Sequence, residues 1–227
     1  GFDDGDGGVL SGVTGGGTTK MTLTRQPSFL VLSRVQSTLK NYIYKWRERR
    51  GLGLYEALST SFGKQDDDAK QLWIERLLTL VQLSNVLTFL HGRRIIYRDL
   101  KPENVGFDLC GTLKLFDFGL AKVLPIPDDG EEEDSYRLTG NTGTLRYMPP
   151  EVALCQNYGF SADVYTFAII MYQVLTLKVP FAGVSPSVFM DEVVRGGERP
   201  AVDEGWPVGI KRLIGSMWDG DMKARPR

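Results

Sequence analysis

The sequence predicts an α+β chain in which helix outweighs strand. Three observations carry that expectation. Apolar residues recur at helical spacing as Ile74, Leu77, Leu78 and Val81, and again as Leu80, Leu83, Leu87 and Leu90. The pattern then changes to short apolar runs, Ile95-Ile96, Val105–Phe107 and Leu113–Phe116, with Gly111 in a turn. Long apolar stretches resume afterwards, Phe160–Thr176 above all. With 227 residues, 42% of them hydrophobic, the chain is long and apolar enough for one sizeable core.

The elements follow in order. Residues 1–28 are dense in glycine (Gly5, Gly7, Gly8, Gly12, Gly15, Gly16 and Gly17) and too poor in apolar residues for strands, so they read as a flexible linker or insertion. Phe29–Val35 is apolar enough for a strand. The two leucine-rich stripes predict one long, largely buried helix from about Asp67 to His91, with Asp66-Asp67-Asp68 at its start, where negative charge suits the helix dipole. His91, the only histidine, reads as a packed or capping residue. Three more helices are expected over Phe160–Thr176, Pro186–Arg195 and Pro207–Trp218, the last two opening near a proline that suits a first turn.

Charge and composition exclude several classes. The net charge of −1 gives no pull toward nucleic acid or anionic lipid. The cluster Lys45, Arg47, Arg49 and Arg50, after Tyr42, Tyr44 and Trp46, therefore reads as a basic helix face rather than a nucleic-acid surface. Cys110 and Cys155 have neither metal nor redox spacing, which fits a reducing, cytoplasmic setting. No apolar run approaches the roughly 18 residues of a membrane span.

The densest chemistry lies in Tyr97-Arg98-Asp99-Leu100-Lys101-Pro102-Glu103-Asn104, followed by Asp117-Phe118-Gly119. These motifs resemble the catalytic loop (H-R-D-L-K-P-E-N) and the metal-binding triplet (D-F-G) of the eukaryotic protein kinase family. The resemblance implies ATP and magnesium as cofactors. It implies Asp99 as the base that accepts the proton of the attacking hydroxyl, and Asn104 and Asp117 as magnesium ligands. Lys101 would place positive charge on the moving phosphoryl group, and a lysine there points to serine/threonine acceptors. Phe118 and Gly119 would set the active or inactive arrangement of the triplet. Tyr97 stands where the family usually has histidine, and it can likewise pack and donate a hydrogen bond. The basic face around Lys45 would then lie near the substrate cleft.

Further matches follow in the family's order. Gly143-Thr144-Leu145-Arg146-Tyr147-Met148-Pro149-Pro150-Glu151 resembles the end of the activation segment, with Pro149 in place of alanine. By resemblance, Thr144 turns toward Asp99 and Lys101, Glu151 pairs with Arg225, and Asp163 anchors the backbone of the catalytic loop. Arg98 is the residue that in the family commonly meets an activation-segment phosphate. Ser135, Thr139 and Thr142 are the candidate acceptors for an upstream activating kinase. The acidic run Asp128–Asp134 in the same segment reads as a solvated loop, able to mimic such a phosphate or compete with it. Gly197-Glu198-Arg199-Pro200 with Trp206-Pro207 is most similar to the tyrosine-kinase-like group.

The resemblance runs over residues 29–227 and implies a partial kinase domain. Residues 29–36 match the last small-lobe strand and hinge, with Leu32, Ser33 and Val35 on the adenine pocket. Residues 37–227 match the helical large lobe. A G-x-G-x-x-G-x-V loop, a V-A-I-K strand and the helix bearing its glutamate partner are not found in the sequence, and the segment around Lys20 lacks the flanks to replace them. The expected protein is thus an excerpt of a longer serine/threonine kinase acting on protein substrates. The alternative expectation is a non-catalytic kinase-like scaffold.

Overall fold

The computed structural model describes residues 34–57, 64–126 and 135–227, and the side chains of all of these except 52–57 and 64–66. The expected linker, Leu32, Ser33, Lys20 and the acidic run 128–134 lie outside the described residues.

Strand β1 (Ser37–Thr38) leads into helix α1 (Leu39–Ala57). Helix α2 (Lys64–His91) follows, then strands β2 (Ile95–Ile96), β3 (Val105–Phe107), β4 (Leu113–Leu115) and β5 (Lys122–Val123). A 3-10 turn at Leu145–Tyr147 precedes α3 (Pro150–Ala153) and α4 (Ser161–Thr176). Helix α5 (Pro186–Val188) runs into a π-helical stretch at Phe189–Arg195, and α6 (Val208–Met217) comes last. β1, β3 and β4 form one antiparallel sheet, and β2 pairs antiparallel with β5. Of the expected last small-lobe strand and hinge at 29–36, only residues 34–36 are described. Arg34–Gln36 is irregular, and pairing begins where the Gln36 amide reaches Phe107 O at 2.8 Å.

Helix α4 is the axis of the core. A helix apolar on all sides must be buried on all sides, and Ala168, Ile169, Ile170 and Val174 are fully buried. α2 packs on it with Leu80, Leu83, Leu87 and Leu90, and α6 with Ile214 and Met217. The other stripe of α2 does not behave as expected. Ile74, Leu78 and Val81 are about half exposed, at 41%, 56% and 54%. The buried side of α2 is taken by α1 and α4, and a single helix cannot turn both stripes toward them. A second apolar cluster (Ile96, Leu124, Tyr136, Met148, Val152, Tyr158 and Ala162) underlies the activation segment.

The C-terminal end of α4 shows what the basic cluster does. The last carbonyls of a helix lack intrahelical donors, and here three guanidiniums supply them. Arg76 donates to Leu175 O at 3.0 Å, Arg50 to Thr176 O at 3.4 Å, and Arg47 Nε to Leu177 O at 3.1 Å. Leu177 ends the helix in the left-handed region at φ 59. Arg49 pairs with Glu75 at 2.7 Å. Three of the four cations expected along a substrate cleft are thus spent holding α1 and α2 to the rest of the core. Burial, helped by the nearby Arg50 charge, draws the Arg76 guanidinium down to about 10.

Tyr165, in α4, lies beneath the guanidiniums of Arg199 and Arg225, at 5.1 and 5.0 Å from its ring. Burial pushes its phenol up to about 12. Its hydroxyl is the one buried side-chain nitrogen or oxygen without a hydrogen-bond partner among the described residues. Among those residues no helix is long and apolar enough to cross a membrane.

Candidate active site

The site starts from one buried carboxylate. Asp163, 1% exposed in the first turn of α4, accepts the Tyr97 amide at 2.8 Å on Oδ2 and the Arg98 amide at 2.9 Å on Oδ1. His91 Nε2, at the end of α2, contacts the same Oδ2 at 2.9 Å. These bonds help hold Arg98 at φ 71, a left-handed conformation that a non-glycine residue adopts only under constraint. The chain leaves β2 bent by this turn, and Asp99 follows immediately.

Asp99 is 7% exposed, and both of its oxygens are engaged. Lys101 Nζ lies 2.6 Å from Oδ2, and Asn104 Nδ2 donates to the same oxygen at 3.0 Å and to Asp99 O at 2.9 Å. Thr144 Oγ1 donates to Oδ1 at 3.3 Å. Three predicted residues from two separate segments therefore converge on the carboxylate of a fourth.

Asn104 and Asp117 are brought together by the β3–β4 hairpin. The register pairs Val105 with Leu115, and the Phe116 amide reaches Asn104 O at 3.2 Å. Asn104 thus precedes one strand where Asp117 follows the other. Asp117 has φ 61 and an exposed side chain, and the Gly119 amide approaches its Oδ1 at 3.4 Å. Tyr97 ties this hairpin to the catalytic loop. Its hydroxyl donates to Phe116 O, and its ring meets the Phe118 ring edge-on at 5.3 Å. Burial first, and then the Asp99 charge, raise the Tyr97 phenol well above the usual tyrosine range. Val35 is half-buried against the same hairpin, where a Cβ at Gly106 would come within 2.3 Å of Val35 Cγ1.

The activation segment closes the other side. Gly143 has φ 98, and a Cβ there would stand 2.7 Å from Arg98 O. Gly143→Ala is therefore expected to cost about 1–3 kcal/mol through strain and to displace Thr144 from Asp99. Thermal unfolding and transfer activity measured together check this, and an unchanged pair of values would refute it. Glu151, at the start of α3, forms a two-pronged buried pair with Arg225 at 2.6 and 2.9 Å. A small cavity behind Asp99 is bordered by Thr142, Thr144, Tyr147, Met148 and Pro149.

Of the three candidate phosphate acceptors, Thr139 alone touches Arg98, whose Nη1 reaches its Oγ1 at 3.0 Å. Thr142 donates instead to Thr139 O at 2.9 Å, and Ser135 is not among the hydrogen-bond partners of the Arg98 side chain. Tyr158, which no motif singled out, also contacts Arg98 at 3.1 Å. Only its place five residues ahead of Asp163 could have drawn notice to it.

Comparison with known proteins identifies the family. Residues 58–227 match the family described as Protein kinase domain. The serine/threonine-protein kinase VIK of Arabidopsis thaliana is 36% identical over 150 residues, which is 64% of this chain and 34% of that protein. The serine/threonine-protein kinase STY46 of the same plant is 31% identical over 161 residues, 69% of this chain and 27% of that protein. The ankyrin repeat and protein kinase domain-containing protein 1 of Mus musculus is 33% identical over 164 residues, 68% of this chain and 22% of that protein. The chain spans about a third or less of the length of these relatives. With the match covering most of its residues, the chain belongs to the protein kinase family.

Proposed function

We propose that this chain is the hinge and large-lobe part of a serine/threonine protein kinase that transfers the γ-phosphoryl group of ATP to hydroxyls of protein substrates. The observation that carries the reading is the convergence of Lys101, Asn104 and Thr144 on the Asp99 carboxylate. Phosphoryl transfer asks a protein for positioning and charge neutralisation more than for covalent work. Asp99 accepts the proton of the incoming hydroxyl and orients its oxygen for attack. Lys101, 2.6 Å from Asp99 Oδ2, would place positive charge on the moving phosphoryl group.

The donor set beside Asp99 suits magnesium. Asn104 spends its amide nitrogen on Asp99, which leaves its carboxamide oxygen for a cation, and the Asp117 carboxylate is exposed next to it across the hairpin. Hard oxygens from one or two residues, completed by phosphate and water, are the usual magnesium shell. Bound there, magnesium supplies neutralisation of the phosphate charge. Val35 lies against the same hairpin, which supports its place on the adenine pocket. Free, exposed Cys110 and Cys155 fit a cytoplasmic setting.

Regulation is proposed at Arg98. A phosphate added by an upstream kinase on Ser135, Thr139 or Thr142 would give its guanidinium a charged partner. Replacing all three by alanine is expected to abolish activation by such a kinase; full activation in the triple variant would sink the idea. The function itself is tested by magnesium-dependent transfer of labelled γ-phosphate to a generic serine/threonine substrate, in the longest form of the protein that contains this chain. No transfer by folded, pre-activated protein would favour the scaffold reading.

A further inference from the structure

Tyr158 belongs to no catalytic motif, yet it joins the two halves of the site. It is 1% exposed and lies just before α4. Its hydroxyl is used twice, accepting from Arg98 Nη1 at 3.1 Å and donating to Thr139 O at 2.8 Å. Its backbone forms an antiparallel bridge with Tyr136, at 2.9 and 3.1 Å. One residue thereby fastens the activation segment at two points three residues apart.

Arg98 explains why this matters. Its Nε donates to Leu120 O at 2.6 Å, and its Nη1 is shared between Thr139 Oγ1 and the Tyr158 hydroxyl. Every one of these partners is a neutral oxygen. The cation adjacent to Asp99 is thus satisfied, among the described residues, without a carboxylate. Hydrogen bonds from a charged donor are stronger than neutral ones, and a buried donor or acceptor left without its partner is costly. The hydroxyl of Tyr158 adds a second partner to each, beside Thr139 Oγ1 on Arg98 and the Thr142 hydroxyl on Thr139 O, and is the group that binds both at once.

We propose that Tyr158 is a positioning residue for phosphoryl transfer. Its hydroxyl holds the segment around Thr139 against Arg98 in the unmodified chain, so the protein-substrate side of the site is assembled before any phosphate is added. The inference rests on the kinase reading and extends it to a residue and a state which that reading does not address. A phosphate on Thr139 would give Arg98 a stronger partner and make the Tyr158 hydroxyl dispensable.

Tyr158→Phe tests this, with Tyr136→Phe as control, because the control removes the same atom from a bond to Arg94 rather than Arg98. The Asn141 amide, which donates to Val152 O at 2.8 Å, reports the state of the segment by hydrogen exchange. Loss of the two hydroxyl bonds is expected to speed exchange at Asn141 roughly tenfold, with no change in Tyr136→Phe and none along α4. In the transfer assay, KM for the protein substrate should rise roughly tenfold in the unmodified variant while KM for ATP stays put, and phosphorylation at Thr139 should restore it. Equal exchange at Asn141 in wild type and Tyr158→Phe overturns the proposal, whether or not transfer is seen. Faster exchange along α4 also overturns it, since that marks a general role in folding. Absence of transfer in the wild type, with the exchange difference present, counts against the kinase reading alone.

Discussion

Asp99→Asn is expected to lower phosphoryl transfer about a hundred- to ten-thousand-fold while leaving the fold intact. The substitution keeps the shape of the side chain but removes the charge proposed to accept the hydroxyl proton, and a positioned base contributes about that factor. It also exchanges an acceptor of three hydrogen bonds for a group whose amide half can only donate. Lys101, now 2.6 Å from Oδ2, would lose its counter-charge, and Asn104 would face another amide. The loss should therefore fall on kcat more than on KM for ATP, because Asn104 and Asp117 remain in place on the hairpin. Steady-state kinetics with thermal unfolding as a control check this. Transfer that survives within a few-fold in the variant would show that Asp99 is not the base.

Breaking the buried ion pair by removing one partner is expected to have the largest effect on stability. Arg225→Met leaves Glu151 charged and without its partner in a place where the two side chains are 5% and 0% exposed. Breaking such a pair by removing one member costs about 3–5 kcal/mol. Arg225 also donates to Ser161 O at 3.0 Å and Asp219 O at 2.9 Å, so the start of α4 and the turn after α6 lose a common partner. For a chain of this size the melting temperature should fall by roughly 10 °C. The double variant Glu151→Leu/Arg225→Met should recover much of that loss, because it leaves no unpaired buried charge. Calorimetry of the three variants decides the matter. Additive losses in the double variant would mean that the two side chains do not act as a pair.

Much of this arrangement was legible in the sequence because its signals are local. Val105–Phe107 and the apolar run that begins at Leu113 are bounded by turn residues, and the hairpin forms there, with Gly111 at φ 77 in the turn. Phe160–Thr176 is apolar on every side, and the buried helix begins one residue later. Other features depend on what lies across the fold. Nothing in the spacing of Ile74, Leu78 and Val81 says that α1 and α4 occupy the opposite side of α2. Nothing in Arg47 or Arg50 says that their partners are carbonyls more than a hundred residues away. The π-helical winding of Phe189–Arg195 is equally hidden, since apolar spacing barely separates it from ordinary helix. Within the site, residue types marked Asp99, Lys101, Asn104 and Asp117, whereas Tyr158 acts through distance alone.

The long central helix gives the molecule its reference frame. Its 16 residues make a strut of about 24 Å. At one end Asp163 carries the backbone that presents Asp99; at the other, arginines from two further helices grip the terminal carbonyls. Asp99 therefore takes its coordinates from a helix buried along most of its length. Displacements of Asp117-Phe118-Gly119 or of the segment from Ser135 to Glu151 between functional states are best measured with α4 superposed, as movements of the parts around a stationary Asp99.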